Sequence, residues 1–313
     1  MPKIGCLGQI IIALVVVLVL VIVGVLFFPT PRPHVVLPAD AVFYIAGFPV
    51  TNTLLASWLS ILILVVLFYV GTRNMRLVPR GLQNVVEIVV EMLFNFVVGV
   101  AGEKNGRRFF PVIATIFLFV IINALIALLP GFHTIGFGHH GEYQGAFFGS
   151  YDGFVAEVPL LRKASTDVNF PLAIAIMTGL FGWFWGIRIS GPSRFLGEFF
   201  RFGGLISSFK YLGRGEIRTA VGGFLPGIID IFIGFVELIS HFIRIVSFTF
   251  RLFGNMTASE VLILMIAFLI PWVAVIPFFG LEIILGFVQA LIFAGLTLVF
   301  ATVAVTPHDA EQE

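Results

Sequence analysis

The chain has 313 residues, of which 59% are hydrophobic and 11% are charged, and its mean hydropathy is +1.09. A soluble protein of this length carries about 25% charged residues and cannot hide this much apolar surface, whereas disordered chains are poor in aromatic and aliphatic residues. The net charge of +1 argues against nucleic acid as a partner, and the single cysteine, Cys6, excludes disulfide scaffolds and cysteine-rich metal or iron–sulfur sites. The composition predicts a membrane protein, and we expect neither a metal nor a cofactor.

The first apolar run, Ile10–Phe28, is long enough to cross a bilayer as a helix. It exceeds the core of a typical signal peptide, and no small-residue cleavage site precedes Pro29, which favours a retained signal-anchor over a cleaved signal peptide. Closely spaced prolines from Pro29 to Pro38 then predict an extended linker. We assign residues 1–35 to this N-terminal span and linker.

Three further apolar runs predict membrane spans over Leu54–Val70, Phe109–Leu129 and Val168–Ile187. Between the first two, polar residues recur at three- and four-residue spacing on the otherwise apolar segment Gln83–Val100. This spacing predicts an amphipathic helix, which we expect to lie in the plane of the membrane interface. A glycine-rich loop is predicted over residues 130–166.

Basic residues concentrate in two loops, 71–108 and 188–218, which places both loops on the cytoplasmic side. The loop 130–166 has only Arg162 and Lys163 as basic residues, so we predict that it lies outside. Both termini are then cytoplasmic if the first span is retained, and residues 306–313 form a cytoplasmic tail. The sequence thus predicts an all-α membrane protein with five or six hydrophobic helical segments.

The segment from residue 221 to residue 305 is almost wholly apolar. Pro226 and Pro271 stand 45 positions apart without a proline between them. One helix of that length would measure about 66 Å, whereas the hydrocarbon core is only about 30 Å thick. We therefore expect a strongly tilted helix, or one broken near Gly254, followed by a return helix over Trp272–Val303. The two would form a long tilted hairpin.

Several polar or ionisable side chains of this hairpin lie at membrane depth. A charge at the bilayer centre costs roughly 2.5–3.5 kcal/mol, so such residues are candidates for function by default. The alternative is that some pair only to hold helices together. The residues are Glu237, His241, Arg244, Arg251, Glu260, Glu282 and Gln289.

Helix geometry sorts these residues around Arg251. At about 100° per residue, one polar stripe runs through Arg251, and Glu260 lies on the opposite side of the helix. The stripe contains Glu237, Ser240, Arg244, Ser247, Arg251 and Asn255. On the return helix, Glu282 and Gln289 are seven residues apart and share a face.

The pattern predicts two polar regions on different sides of a central arginine. Glu260 and Glu282 form an outward-facing acidic pocket, in which we expect the two carboxyls to share a proton. Glu237, Ser240 and His241 form an inward-facing region. Because arginine is effectively never deprotonated, Arg251 is a fixed barrier to a proton between them. Two offset half-channels would need such a barrier if a partner carried the proton past it on its own carboxylate.

At these residues the sequence resembles subunit a of the rotary F-type ATP synthase. The most specific match is the block Ser247–Met256, Ser-x-x-x-Arg-Leu-Phe-Gly-Asn-Met, followed by Glu260. The stretch Gln289–Phe293 also matches, as do motifs around Asn123 and Asp167. The resemblance covers roughly residues 36–305 and implies that this segment is a proton-channel domain.

The resemblance also implies roles and partners. Arg251 corresponds to the essential arginine that faces a carboxylate of the c-ring, with Ser247, Asn255 and Gln289 as its polar neighbours. Glu260 and Glu282 correspond to the outer half-channel pair, which in other members is often one acid and one histidine, and Glu237 corresponds to an acid of the inner half-channel. The implied partners are the c-ring and the peripheral-stalk b subunits, and the implied location is the bacterial plasma membrane.

Asn123 and Asp167 have structural alternatives to a role in the proton path. Asn123 is also suited to a hydrogen bond between helices, and Asp167 to capping the fourth span. For the whole chain, the alternatives are a stand-alone proton channel and a secondary transporter. The sequence lacks the G-x-x-x-x-G-K-[ST] loop, so we expect no nucleotide to bind this chain and no nucleotide chemistry in it.

Overall fold

The computed structural model describes residues 6–27, 38–129, 135–144, 150–199, 217–270 and 274–305, together with the single positions 203, 208, 211 and 213. Most of the predicted proline linker, most of the basic segment 200–216 and the predicted tail 306–313 lie outside this part of the chain. The described residues are mostly helical, which confirms the predicted class.

The N-terminal part contains two helices and a small hairpin. Helix α1 covers Cys6–Phe27 and helix α2 covers Asn52–Thr72. Between them, strands β1 (Ala41–Ile45) and β2 (Phe48–Thr51) pair antiparallel. The two residues that connect these strands, Ala46 and Gly47, both have positive φ (50° and 85°), as a type I′ turn requires. The hairpin ends in the α2 cap, where Thr51 Oγ1 accepts from the Leu54 N–H at 3.3 Å.

Helix α3, Leu82–Ile126, contains a sharp reversal rather than one straight run. Gly102 has φ 74° and ψ 165°, a conformation that L side chains rarely adopt. Beyond it, the chain folds back, so that the rings of Phe94 and Phe110 lie 5.3 Å apart. The predicted amphipathic segment is thus a helix that ends at Gly102, and its place in the membrane interface stays a prediction.

The predicted loop 130–166 contains regular structure that the sequence did not indicate. Strands β3 (Gly136–Gln144) and β4 (Ser150–Pro159) form an antiparallel hairpin. Their many glycines leave little alternation of apolar and polar side chains, so the strand pattern is weak in the sequence. A 3₁₀ turn at Ala164–Thr166 then leads into α4 (Asn169–Ser190), which is followed by α5 (Pro192–Phe199).

The C-terminal part consists of two long helices, α6 (Ile217–Leu269, 53 residues) and α7 (Val275–Val305, 31 residues). Helix α6 is continuous through Gly254, so the predicted alternative of a break there is wrong. At about 1.5 Å per residue, α6 is about 80 Å long, far more than the bilayer core. The prediction of one long helix followed by a return helix is confirmed, whereas the tilt stays a prediction.

The chain divides into two compact units. The first comprises residues 1–88, 115–170 and 251–292, and the second comprises residues 89–114, 171–250 and 293–313. In the first unit, Ala56, Ile126 and Ala127 form a buried apolar cluster. In the second, the buried ring of Phe109 makes edge contacts with Phe181 and Trp185.

Within the part of the chain that the structure describes, five helices are long and apolar enough to cross a membrane. They are Asn52–Thr72, Leu82–Ile126, Asn169–Ile189, Gly223–Leu269 and Val275–Val305. Large apolar side chains are exposed along all five, as the lipid-facing surface of a bundle requires. The chain is a multi-pass membrane protein.

Candidate functional site

In the first unit, α6 and α7 run antiparallel and meet through polar side chains. Asn255 Nδ2 donates to Gln289 Oε1 at 3.1 Å, and Ser259 Oγ donates to Glu282 Oε1 at 3.2 Å. Asn255 and Ser259 are one helical turn apart, and Glu282 and Gln289 are two turns apart. The predicted shared face of Glu282 and Gln289 therefore contacts α6.

Glu260 is buried against an arginine from the segment that follows strand β4. Arg162 Nε donates to Glu260 Oε1 at 3.0 Å, and both side chains are only 7% exposed. A second nitrogen of Arg162 donates to the carbonyl oxygen of Pro38 at 3.1 Å, so the guanidinium is held at two points. The other carboxylate oxygen of Glu260 is buried without a hydrogen-bond partner among the described residues.

Glu282 has a different basic partner, the neighbouring Lys163. The Lys163 ammonium forms a buried ion pair with Glu282 Oε1, the oxygen that also accepts from Ser259. Burial lowers the pKa of Lys163 to about 8, and the negative charge of Glu260 limits the decrease. Lys163 is therefore a lysine that can lose its proton near neutral pH.

These two ion pairs correct the predicted acidic pocket. We expected Glu260 and Glu282 to share one proton, but each carboxylate contacts its own basic group. The sequence reasoning counted Arg162 and Lys163 only as charges of an outer loop. The sequence contained one signal for this pairing, because two adjacent basic residues end a mostly apolar segment on the side where both acids are predicted.

Asn123 and Asp167 support the segment that carries these basic residues. Asn123 Nδ2 donates to Ser60 Oγ at 3.2 Å, and Asn123 Oδ1 accepts from the N–H of Ala164, the residue directly after Lys163, at 3.2 Å. The interhelical bond predicted for Asn123 is confirmed.

Asp167 caps α4, as the structural alternative predicted. Its Oδ1 accepts from the N–H of Asn169 at 3.0 Å. Its Oδ2 accepts from Thr53 Oγ1 at 3.1 Å, which ties the start of α4 to the start of α2. Both Asn123 and Asp167 thus have structural contacts, and a direct role in the proton path stays a prediction.

Arg251 stands on α6 at the boundary between the two units, with a half-buried side chain. Glu237 and Arg244 of the predicted stripe are also half-buried, as is His241 beside the stripe, while Ser240, Ser247 and Asn255 are exposed. The ionisable side chains of the stripe are therefore half-buried, whereas its uncharged polar side chains are exposed.

In the second unit, His241 belongs to an aromatic pocket. Trp183 Nε1 donates to His241 Nδ1 at 3.3 Å, and the ring of Phe199 meets the imidazole edge-on with centroids 5.3 Å apart. One turn further along α6, the Arg244 guanidinium lies 3.8 Å from the centroid of the Phe300 ring. His241 and Arg244 both line a cavity of about 40 Å³, which is large enough for a water molecule.

The described residues contain no group of three or more histidine, cysteine, aspartate or glutamate side chains that could hold a metal ion. The described polar groups form two clusters, one around Glu260 and Glu282 in the first unit and one around His241 and Arg244 in the second.

Comparisons with known proteins place the chain in a family. The family model "ATP synthase A chain" matches residues 54–302. The chain is similar to "ATP synthase subunit a" of Helicobacter pylori strain P12, with 28% identity over 268 residues that cover 84% of this chain and 96% of the relative. It is also similar to "ATP synthase subunit a" of Campylobacter jejuni subsp. doylei, with 28% identity over 251 residues that cover 79% of this chain and 88% of the relative. The chain belongs to the ATP synthase A chain family, whose members are the proton-translocating subunits of the ATP synthase membrane sector.

Proposed function

We propose that this chain delivers protons to and from the carboxylates of a c-ring through two offset half-channels separated by Arg251. The outer half-channel contains Glu260 and Glu282, and the inner one contains Glu237 and His241. Proton flow through the two halves then drives rotation of the ring and ATP synthesis elsewhere in the complex.

The observation that carries this proposal is the order of polar groups along one continuous helix. On α6, Arg251 follows His241 by ten residues and precedes Glu260 by nine. At about 1.5 Å per residue these separations correspond to roughly 15 Å and 13.5 Å along the axis. His241 and Glu260 are therefore too far apart along α6 to exchange a proton through a direct hydrogen bond. The permanent charge of Arg251 lies between them.

The electrostatics of Arg251 account for coupling without a covalent step. A guanidinium repels a proton that attempts to pass directly. It also lowers the pKa of a ring carboxylate that approaches it, so that this carboxylate releases its proton before passing. Each proton must then travel with the ring from one half-channel to the other.

The partners and location follow from family membership and from the loop charges. We propose that the chain assembles with the c-ring and with peripheral-stalk b subunits, because its relatives are named ATP synthase subunit a. These relatives come from bacteria, and the basic segments 71–108 and 188–218 favour the cytoplasmic side. The membrane is then the bacterial plasma membrane, with cytoplasmic termini if the first span is retained.

Substitution of the central arginine tests the proposal. In inverted membrane vesicles that contain the whole complex, Arg251→Lys should reduce proton-driven ATP synthesis to background, although the chain still inserts. The exposed Arg188 provides the matched control, because Arg188→Lys makes the same exchange outside both polar clusters. Near-normal synthesis by an inserted Arg251→Lys variant would overturn the proposal.

Cysteine labelling tests the sidedness of the two clusters. In a Cys6→Ser background, Glu260→Cys should react with a membrane-impermeant reagent added outside, and Glu237→Cys with the reagent added inside. Consistently, Glu260→Gln and Glu282→Gln should slow proton entry from outside, and Glu237→Gln should slow exchange with the inside. Labelling of position 260 only from the inside would contradict the assignment.

Reconstitution separates the half-channels from a stand-alone channel. The purified chain in liposomes, without a ring, should conduct no protons above the lipid background. Proton flux through the chain alone would favour the stand-alone channel instead.

A further inference from the structure

Two adjacent residues, Arg162 and Lys163, place two different cations against the two carboxylates of the outer cluster. Both basic side chains are almost fully buried, with relative exposures of 6% and 2%. Each reaches an acid that is far away in the chain, at separations of 98 and 119 residues. Burying two charged pairs is costly unless the geometry is good, so the arrangement calls for a reason beyond stability.

We propose that Lys163 is the proton relay of the outer half-channel, exchanging one proton with Glu282, whereas Arg162 holds Glu260 as a fixed carboxylate. This inference rests on the function proposed above. It names the group of the outer half-channel that takes up the proton.

The arginine pair has no exchangeable proton. A guanidinium stays protonated at any physiological pH, and the Arg162 side chain donates both to Glu260 and to the Pro38 carbonyl. Arg162 thereby holds the Glu260 carboxyl group in place, and the second, unpartnered oxygen of Glu260 can accept a hydrogen bond from a water molecule. Arg162 is thus a positioning residue.

The lysine pair differs because an amine can give up its proton. The ionisable groups that face Lys163 are Glu282 from α7, Glu260 from α6 and Arg162 from its own segment. Burial disfavours the charged ammonium, and this brings the pKa of Lys163 to about 8. Burial disfavours both charged forms of the pair, so the free-energy gap between ammonium with carboxylate and amine with carboxylic acid is smaller here than in water.

The relay step balances one proton in and one proton out. The Lys163 ammonium transfers a proton to Glu282 Oε1, which leaves a neutral amine and a neutral carboxylic acid. Glu282 then releases that proton toward the ring carboxylate and is again a carboxylate. The amine takes up a hydrated proton (H3O⁺, which leaves as water) from the outer side, and this restores the initial ion pair.

The backbone around Lys163 is held so that the amine stays at Glu282. The Lys163 carbonyl accepts from Thr166 Oγ1 at 2.7 Å, and the next N–H, that of Ala164, donates to Asn123. The segment is therefore tied to α3 and to its own 3₁₀ turn. A positioned donor and acceptor within hydrogen-bond reach are what proton transfer requires.

The exchange Lys163→Arg separates a relay from a structural ion pair. Arginine retains the charge and can still pair with Glu282, but it cannot lose a proton. In the whole complex, we expect Lys163→Arg to lower proton-driven ATP synthesis by more than about tenfold at every outer pH, since general acid–base steps contribute about 10²–10⁴-fold. The matched control is Lys104→Arg, at an exposed position, which should retain the wild-type rate and pH profile.

Assembly is measured as the amount of the chain that co-purifies with the complex. A purely structural pair would be rescued by arginine, so an assembled Lys163→Arg complex with the wild-type rate and pH profile would overturn the relay. If this variant fails to assemble, Lys163→Gln replaces it, because the amide can still donate a hydrogen bond to Glu282 but carries no proton to transfer. Loss of proton flow in the assembled Lys163→Gln complex, in which Glu282 is kept, supports the relay, and wild-type flow overturns it.

The outcome for Arg251 keeps the two proposals distinguishable. If Arg251→Lys abolishes synthesis while Lys163→Arg is normal, only the relay is wrong. If Arg251→Lys is itself near normal, the proposed function is wrong.

Discussion

Asn255 and Gln289 are joined by a hydrogen bond of 3.1 Å, donated by Nδ2 of Asn255 to Oε1 of Gln289. The bond connects α6 and α7 one helical turn beyond Arg251. The amide nitrogen of Gln289 is buried and has no hydrogen-bond partner among the described residues. An unused buried donor costs free energy, so this nitrogen is an unfilled hydrogen-bonding position close to Arg251.

The effects of substituting Asn255 and Gln289 on the free energy of unfolding should not be additive, because the two side chains share one hydrogen bond. We expect Asn255→Ala and Gln289→Ala each to lower the free energy of unfolding by about 1 kcal/mol, because each leaves or removes a hydrogen-bonding partner. The double variant should lose less than the sum, by about 0.5–1.5 kcal/mol, as contacting residues do. Equilibrium unfolding of the chain in mixed micelles measures all three, and strict additivity would contradict the coupling.

Removing one member of the buried pair of Arg162 and Glu260 should lower the free energy of unfolding more than replacing both members by apolar residues. Glu260→Leu leaves the Arg162 charge buried without its carboxylate, so we expect a loss of about 3–5 kcal/mol in the free energy of unfolding. The double variant Arg162→Leu/Glu260→Leu replaces both charges by apolar groups and should recover most of that loss. A double variant no more stable than Glu260→Leu would refute this reading of the pair.

Lys163 should make stability depend on alkaline pH. Its pKa is about 8 in the folded chain and 10.5 as the ordinary value, so between these pH values the unfolded chain binds more protons. Stability linked to Lys163 must therefore rise as pH increases from 8 to 10.5. Comparing unfolding of the wild type and Lys163→Met across this interval isolates the effect, with the exposed Lys104→Met as the control. A difference between wild type and Lys163→Met that is flat in pH would be inconsistent with it.

The cavity beside His241 should be needed for proton exchange on the inner side. Gly182 lines this cavity, and a Cβ placed there would meet no atom within 4 Å. Gly182→Val therefore fills the space in which a water molecule fits, and we expect ATP-driven proton pumping to fall several-fold in an assembled complex. Gly197 on α5 is likewise unobstructed but exposed, so Gly197→Val is the control. Normal pumping by Gly182→Val would exclude the cavity from the path.

The reversal in α3 should depend on the absence of a side chain at Gly102. With φ 74°, alanine at this position would be strained, and we expect Gly102→Ala to cost about 1–3 kcal/mol in the free energy of unfolding. Gly99→Ala, in the preceding helical turn and without nearby atoms, should instead stabilise the chain by about 0.4–1 kcal/mol. Thermal unfolding of the two variants in detergent provides the test, and equal midpoints would argue against the strain.

Much of the fold was determined by local sequence patterns. Apolar runs long enough to cross the bilayer core as helices predicted the membrane spans. In lipid, a continuous helix is the simplest structure in which every backbone N–H and C=O group has a hydrogen-bond partner. The helical period alone placed Arg251 on a stripe with Glu237 and Arg244, and it put Glu282 and Gln289 on one face. These results depend only on residues within about four helical turns of each other.

Two other local features, the hairpin β3–β4 and the reversal at Gly102, could not be predicted from the sequence. The hairpin β3–β4 has little side-chain alternation because glycine is frequent, so only the pairing of its backbone groups with the facing strand creates it. The reversal at Gly102 is similar. A lone glycine in an apolar helix pattern permits a reversal of the chain but does not require one. In the structure the reversal brings the rings of Phe94 and Phe110 into contact, and the sequence pattern does not predict this contact.

Composition and helical periodicity were enough to predict that this chain lies in lipid, where its long helices run, and which charges stand on their faces. The groups that neutralise those charges became known from the folded structure. Arg162 and Lys163 meet Glu260 and Glu282 across 98 and 119 residues, and no periodicity in the sequence encodes such pairings. The physical reason is that a buried carboxylate needs a counter-charge from wherever the fold can supply one, and here a short segment after a β-hairpin supplies two.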